Sequence, residues 1–193
     1  MRRLCIGLFL AVALPAFAQT PPLRDAERER LDRFEEAAGR GLLTAFSEGM
    51  TGEIAALTGA LSGRARTPSP EGDWSCRMIR MGELTPLVVF DRFTCRIGRI
   101  SATEWQFDKL DGSERMTGII AIEDGRALYR GVGFSGDGPE MTYAELPERQ
   151  DMLDLGRAIP QVAVFEQTGG GAARLMFPYP FLEGTFDVLE LTR

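Results

Sequence analysis

The chain has 193 residues and a formal net charge of −6. A net negative charge argues against sequence-independent binding to nucleic acid and against binding to an anionic membrane surface. Histidine is absent from the sequence, which excludes imidazole metal ligands and nucleophile pairs that depend on a histidine base. The length fits a single domain.

Residues 1–18 have the pattern of a signal peptide. Arg2 and Arg3 form a basic start, residues 5–14 form an apolar stretch, and residues 16–18 (Ala-Phe-Ala) supply the small side chains that a signal peptidase reads. We therefore predict cleavage after Ala18 and a periplasmic or secreted protein. An uncleaved anchor is the alternative, but the apolar stretch is shorter than the ~20 residues of a membrane span. No stable membrane span is expected after processing.

Residues 19–72 are predicted to form a helical segment and a linker. Apolar residues recur at three- and four-residue steps, the spacing of one helix face: Leu31, Phe34, Ala38, Leu42 and Phe46. A second, shorter helix is predicted around Leu57, and the prolines, glycines and serines of residues 62–72 indicate a linker. The apolar face could contact a membrane, but its polar side is mixed in sign rather than basic, which favours packing on the protein's own sheet.

Residues 73–193 are predicted to form a β-rich domain that packs with the helices as one domain. Eight segments have the composition of strands: 73–81, 87–98, 103–110, 113–123, 126–134, 161–167, 172–177 and 185–191. A short helix is also predicted around Asp151–Leu155. Strands joined by short turns favour an antiparallel meander or a barrel-like sheet, because such sheets hide their edges. The predicted fold class is thus mainly β with an N-terminal helical segment.

Tight turns predict which residues of neighbouring strands face each other. A two-residue turn at residues 111–112 would place Trp105 opposite Gly118, and a similar turn at residues 124–125 would place Gly118 opposite Gly131. These three residues would then share one sheet face. Either the indole packs on the glycines, which is the commoner arrangement, or the glycines form a shallow groove for a ligand.

Two cysteines, Cys76 and Cys95, follow the signal peptide. An even pair in an exported chain predicts a disulfide, and an oxidising compartment disfavours the alternative of a reactive or metal-binding thiol. If the two cysteines lie directly opposite each other on neighbouring strands, Arg80 also falls opposite Asp91. That register predicts an ion pair beside the bridge.

Two further arginines lie on the strand face away from the predicted disulfide. Arg77 and Arg96 could together hold an anionic ligand or the carboxylate of a partner. A solvated strand face is the commoner arrangement for such residues. We therefore treat the two arginines, with Trp105, Gly118 and Gly131, as a possible ligand or partner surface.

Several short motifs resemble those of the family called domain of unknown function 4893. The motifs lie along most of the predicted mature chain: residues 74–77 (Trp-Ser-Cys-Arg), 93–97 (Phe-Thr-Cys-Arg-Ile), Lys109, 112–115 (Gly-Ser-Glu-Arg), Gly118, 177–180 (Phe-Pro-Tyr-Pro) and 187–191 (Asp-Val-Leu-Glu-Leu). The resemblance implies a small exported protein of an alphaproteobacterial type, with Cys76 and Cys95 at the family's cysteine positions. It implies no reaction. Residues 72–74 (Gly-Asp-Trp) also resemble the Gly-x-Trp that opens lipocalin-type barrels, which implies barrel topology but no ligand class.

No catalytic, cofactor or metal motif is recognisable in the sequence, and no cofactor is expected. The favoured hypothesis is a non-enzymatic envelope protein that binds a partner protein or a small ligand, with inhibition of a secreted hydrolase as its most specific form, by fold analogy alone. The alternative is a hydrolase that uses two carboxylates across a cleft. Among 28 acidic residues, however, the sequence singles out no pair.

Overall fold

A computed structural model describes residues 20–82, 84–139, 141–148, 158–182 and 184–193. The predicted signal peptide and the short helix predicted around Asp151–Leu155 lie outside these ranges. Within them, three helices precede nine strands: α1 (Asp25–Asp32), α2 (Phe34–Glu48), α3 (Thr51–Leu61), β1 (Gly72–Met81), β2 (Val88–Val89), β3 (Phe93–Arg99), β4 (Glu104–Lys109), β5 (Arg115–Glu123), β6 (Arg126–Phe134), β7 (Ile159–Gly169), β8 (Ala172–Pro178) and β9 (Phe186–Thr192). No helix in the described ranges is long and apolar enough to cross a membrane.

The strands form a closed antiparallel barrel. From β3 onward each strand pairs with the next in the chain, β3 also pairs with β1, and β9 returns to pair with β1. The two-residue strand β2 is an extra strand beside β1. The barrel therefore has eight strands, and its closure leaves few unpaired edge groups. The predicted mainly β, barrel-like fold with an N-terminal helical segment is confirmed.

Alternate residues of each strand point into the barrel or out toward the helices. The interior is filled mainly by aromatic and aliphatic side chains, among them Trp105, Phe107, Tyr129, Phe177 and Leu189. A second cluster lies between the outer face of the barrel and the helices, and joins Leu31, Ala37 and Leu57 to Ile79 and Val188. Two apolar layers thus share one sheet.

Helix α2 approaches the barrel through its small residues. Its buried positions are Ala37, Gly41 and Ala45, and a Cβ at Gly41 would lie 2.8 Å from the Cβ of Phe186. Of the predicted apolar face, Leu31 belongs to the cluster beneath the helices, and Phe34, Ala38 and Leu42 pack against it. The prediction that Phe46 packs inward was wrong, because its side chain is 51% exposed.

The hairpin predictions had different outcomes. At residues 124–125 the register is confirmed, with Gly118 opposite Gly131. At residues 111–112 the predicted register was wrong by two residues, because Gly118 faces Phe107 and Trp105 faces Ile120. The connection there is a five-residue loop, residues 110–114, rather than a two-residue turn.

A disulfide joins Cys76 and Cys95, whose Cα atoms are 5.9 Å apart. The predicted pairing of these residues directly opposite each other was wrong, because Cys76 faces Phe93 and Cys95 faces Trp74. The bridge is therefore diagonal. The physical reason is a break in the predicted strand 87–98, whose first part is β2 and whose second part, β3, pairs with β1 in a different register.

Candidate functional site

A cavity of about 260 Å³ opens at one end of the barrel, where β1, β4, β6 and β8 end and β3, β5, β7 and β9 begin. We call it the mouth cavity. Its floor is apolar and includes Met78, Phe93, Met116 and Phe177. Its rim carries five charged side chains: Arg80, Lys109, Glu114, Arg115 and Asp187. The mouth cavity thus combines an apolar floor with a charged rim.

Three of these charged residues occupy positions that point into the barrel. The inward residues of β1 end with Met78 and Arg80, those of β4 end with Phe107 and Lys109, and Asp187 begins the inward series of β9. Neighbouring strands run in opposite directions. The end of β1, the end of β4 and the start of β9 therefore meet at the same mouth.

Asp187 is the most buried charged residue of the mouth cavity, with 3% of its surface exposed. Its Oδ2 lies 3.3 Å from Nε of Arg80, whose Nη2 is also 3.7 Å from a carboxylate oxygen of Glu114. Burial raises the pKa of Asp187 to about 7, although the Arg80 guanidinium opposes that rise. Among the described residues, Oδ1 of Asp187 has no hydrogen-bond partner.

Lys109 holds the loop at the rim. Its ammonium donates hydrogen bonds to the backbone carbonyls of Asp111 and Glu114 and lies 3.8 Å from the ring centroid of Phe93. Burial lowers the pKa of Lys109. The loop is also tied to β3, because the backbone N–H of Thr94 donates to the Asp111 carboxylate over 2.8 Å.

The opposite end of the barrel is closed. The indole N–H of Trp74 donates to the carbonyl of Pro70 over 2.7 Å. The guanidinium of Arg193 lies over the same indole ring, 4.1 Å from its centroid. The lining of the mouth cavity includes none of these residues, and core side chains fill the interior between the two ends, so we describe the cavity as a pocket with one entrance.

The structure places the predicted Trp105 and glycine surface inside the barrel. Trp105 is only 3% exposed and belongs to the interior core. The aromatic ring that covers the glycines is that of Tyr129, since a Cβ at Gly118 would lie 2.7 Å from its Cε2 and a Cβ at Gly131 would lie 2.4 Å from its hydroxyl. These residues support the cavity from below and do not line it.

Arg77 and Arg96 lie on the outer face and are separated from each other. Arg77 donates to Glu190 over 2.6 Å, and Arg96 donates to Asp73 over 2.7 Å. Arg96 faces Asp73 across the strands, and Asp73 is four residues from Arg77, a distance of roughly 13 Å along a strand. Each arginine thus has its own carboxylate, and the two do not converge.

Sequence reasoning missed Arg80 and Asp187 as site residues. The signal that could have identified them is a charged residue at a position that continues an inward apolar alternation: Trp74, Cys76, Met78 and then Arg80, or Asp187 and then Leu189 and Leu191. A charged side chain in such a position must find a partner inside the barrel or at its mouth.

Other surface features of the described residues lie outside the mouth cavity. Leu43 and Phe46 of α2 and Met50, which directly precedes α3, are 73%, 51% and 69% exposed, and we call these three residues the apolar stripe. A second, more open cavity of about 550 Å³ lies beside the start of α2, and its lining includes Arg66 and Glu166. Within the described ranges, no group of three or more cysteines or acidic residues is arranged to hold a metal ion.

The fold and the mouth cavity define a disulfide-bonded, eight-stranded antiparallel β-barrel domain with one open end. Residues 22–191 match the family model described as a domain of unknown function, DUF4893, and the chain belongs to that family. No curated protein and no solved structure matched the chain. The family resemblance predicted from the motifs is thereby confirmed.

Proposed function

We propose that this chain is an exported, non-enzymatic binding domain that takes a small ligand into the mouth cavity. The observation that supports this proposal most is a one-ended concave site with an apolar floor and a few charged groups, the usual composition of small-molecule sites. Sites for drug-sized ligands measure roughly 300–1,000 Å³. A cavity of about 260 Å³ therefore suits a smaller molecule.

The proposed location is the periplasm or the medium. The signal pattern of residues 1–18 supports export, and the bridge between Cys76 and Cys95 is of a kind that persists in oxidising compartments. Expression of the full-length gene in a bacterial host, followed by fractionation and intact mass measurement, tests this. Export predicts a periplasmic protein that lacks residues 1–18, and a full-length cytoplasmic product would contradict it.

Binding can be tested with the protein purified from that fraction and N-phenyl-1-naphthylamine, a neutral apolar dye that brightens in apolar sites. We expect saturable fluorescence enhancement. Ser113 is exposed and lines the cavity, so Ser113→Trp should obstruct the entrance and weaken dye binding about tenfold. Ser47→Trp, at an exposed position on α2, is the matched control. Absence of dye binding, or equal binding by both variants, would contradict the proposal.

A protein partner is the second form of the binding proposal. The apolar stripe of Leu43, Phe46 and Met50 supports it, because exposed apolar groups that lie close together mark interaction sites. In the inhibitor-like version, the partner is a secreted hydrolase. Capture of a hydrolase on the immobilised protein, with loss of capture by Phe46→Ser, would support this form. Equal capture by the variant would refute it.

A hydrolase remains the second candidate function. Asp187 and Glu114 both contact Arg80, and a carboxyl group whose pKa lies at about 7 is suited to proton transfer near neutral pH. Chromogenic glycosides and esters test this candidate directly. It requires turnover that is lost in Asp187→Asn and retained in Asp73→Asn, whose carboxyl group lies on the exposed outer face.

A further inference from the structure

We propose that the ligand of the mouth cavity is an anionic amphiphile with one small acidic head and a short apolar body. The inference rests on the proposed function and specifies its ligand class. The apolar body would lie on Met78, Met116 and Phe177 of the floor, and the acidic head would lie at the rim beside Arg80 and Lys109. Each element of this assignment follows from the charges and hydrogen bonds around the cavity.

The balance of charge at the rim favours an anion. Three cationic side chains, Arg80, Lys109 and Arg115, line the mouth cavity against two carboxylates, Glu114 and Asp187. The chain as a whole carries a net charge of −6, so the local excess of positive charge is opposite in sign to that of the protein. A net positive charge in a concave site raises the local concentration of anionic ligands.

The rim cations are also held away from water. Lys109 is 6% exposed, and the side chain of Arg80 is 16% exposed. The guanidinium of Arg115 lies over the ring of Phe134, 5.3 Å from its centroid. Charge-assisted hydrogen bonds are stronger where water is excluded, so an acidic head that reaches these groups gains more than it would at an exposed lysine.

Two polar groups beside the cavity have hydrogen-bonding capacity that the described residues do not use, although Oδ1 of Asp187 is buried and the Lys109 ammonium also lies against the ring of Phe93. A lysine ammonium has three N–H donors, and the hydrogen bonds of Lys109 to described residues use two of them, to the carbonyls of Asp111 and Glu114. The Oδ1 atom of Asp187 has no partner among the described residues. An acidic head could accept from Lys109 and also, when Asp187 is protonated, from the carboxyl O–H.

The main competitor is a cationic or neutral amphiphile. When Asp187 is ionised, an amine or an alcohol could donate a hydrogen bond to its Oδ1 atom, which has no partner among the described residues. An amine, however, would bring a fourth positive charge beside Arg80 and Lys109. An alcohol could form a charge-assisted hydrogen bond here, but it carries no charge of its own to attract the net positive charge of the rim. Charge therefore ranks the three classes in the order anion, alcohol, amine.

Protonation of Asp187 should strengthen anion binding. The charged groups around this carboxyl come from several elements: Arg30 on α1, Arg80 on β1, Lys109 on β4, Glu114 in the following loop and Arg115 on β5. A proton on Asp187 removes one negative charge from the rim and weakens the hold of Asp187 on Arg80. Since its pKa lies at about 7, the affinity for an anion should rise as pH falls through neutrality, whereas that for an alcohol should not.

Competition against N-phenyl-1-naphthylamine tests the ligand class with three probes that share one chain length: octanoate, octan-1-ol and octylamine. At pH 6 we expect octanoate to displace the dye at about tenfold lower concentration than octan-1-ol, which corresponds to about 1.4 kcal/mol for the added attraction between the carboxylate and the rim cations. Octylamine should be the weakest competitor. Equal displacement by octanoate and octan-1-ol would overturn the inference, while dye binding itself would leave the proposed function standing. If the dye does not bind, the proposed function fails instead.

Two variants locate the acidic head. Lys109→Gln should reduce the preference for octanoate over octan-1-ol. Arg115→Gln provides the same readout if Lys109→Gln does not fold, because Arg115 makes none of the loop-holding hydrogen bonds described above for Lys109 and Asp111. Arg96→Gln is the matched control, because Arg96 lies on the outer face with Asp73 as its own partner. A preference that survives in the folded rim variants, or that falls equally in the control, would overturn the assignment.

Discussion

The glycines beneath the mouth cavity allow a sharp test of the fold. A Cβ at Gly118 would lie 2.3 Å from the carbonyl oxygen of Arg130, 2.6 Å from Cα of Gly131 and 2.7 Å from Cε2 of Tyr129. Two of these three atoms belong to the backbone of the neighbouring strand, which cannot move away without disturbing its own pairing. Overpacking of this kind costs about 1–3 kcal/mol.

Gly118→Ala should therefore destabilise the protein by about 2 kcal/mol, because alanine recovers roughly 0.5–1 kcal/mol of strand propensity against an overpacking cost near the upper limit. Urea unfolding followed by tryptophan fluorescence measures this, since Trp74 and Trp105 are both buried. Gly98→Ala is the matched control, because no atom lies within 4 Å of a Cβ at that position in β3. Equal unfolding free energies for Gly118→Ala and Gly98→Ala would refute the close approach of the strands.

Three other measurements test the core, the bridge and the buried carboxyl group. Replacement of Cys76 and Cys95 by serine should lower the unfolding free energy by about 3 kcal/mol, the value for a loop of this size, and free thiols in the exported protein would contradict the bridge. Trp105→Ala should lower the free energy of unfolding by about 3 kcal/mol or more. A negligible change in the urea midpoint would contradict the burial of Trp105. The pKa of the Asp187 carboxyl group is raised from 3.8 to about 7 in the folded protein, so the folded state binds the carboxyl proton more tightly than the unfolded state does. The contribution of Asp187 to the free energy of unfolding therefore falls as pH rises between those two values. Asp187→Asn should remove that part of the pH dependence, and the control Asp73→Asn should retain it. Parallel plots of unfolding free energy against pH for wild type and Asp187→Asn would contradict the raised pKa.

The two Asp-Gly turns illustrate what could be predicted from sequence. At residues 124–125, Asp124 and Gly125 both have positive φ, 48° and 78°, as a two-residue type I′ turn requires, and the predicted register is correct. At residues 111–112 only Gly112 has positive φ. The carboxylate of Asp111 instead accepts a hydrogen bond from Thr94 on β3, a contact between distant residues that the turn sequence alone cannot indicate.

The candidate site was harder to predict than the fold. The strand segments follow from local alternation, but the pairing of Arg80 with Asp187 depends on closure of the barrel, which brings β9 beside β1. The sequence instead suggested Asp91 as the partner of Arg80, because short-range hairpins were the only source of register. A residue 107 positions away along the chain becomes a neighbour only through the complete topology.

The pairing of β1 with β9 also has a consequence for how the chain folds. The other seams of the barrel join strands that are closer along the chain, with residues 135–158 between β6 and β7 as the longest connection, whereas this seam joins Ser75 to Thr192. Loop-closure entropy makes such a distant contact slow to form. Until β1 and β9 pair, their edges expose unpaired backbone N–H and C=O groups that can pair with strands of other molecules. Folding intermediates of this protein should therefore be most prone to self-association just before the ring closes.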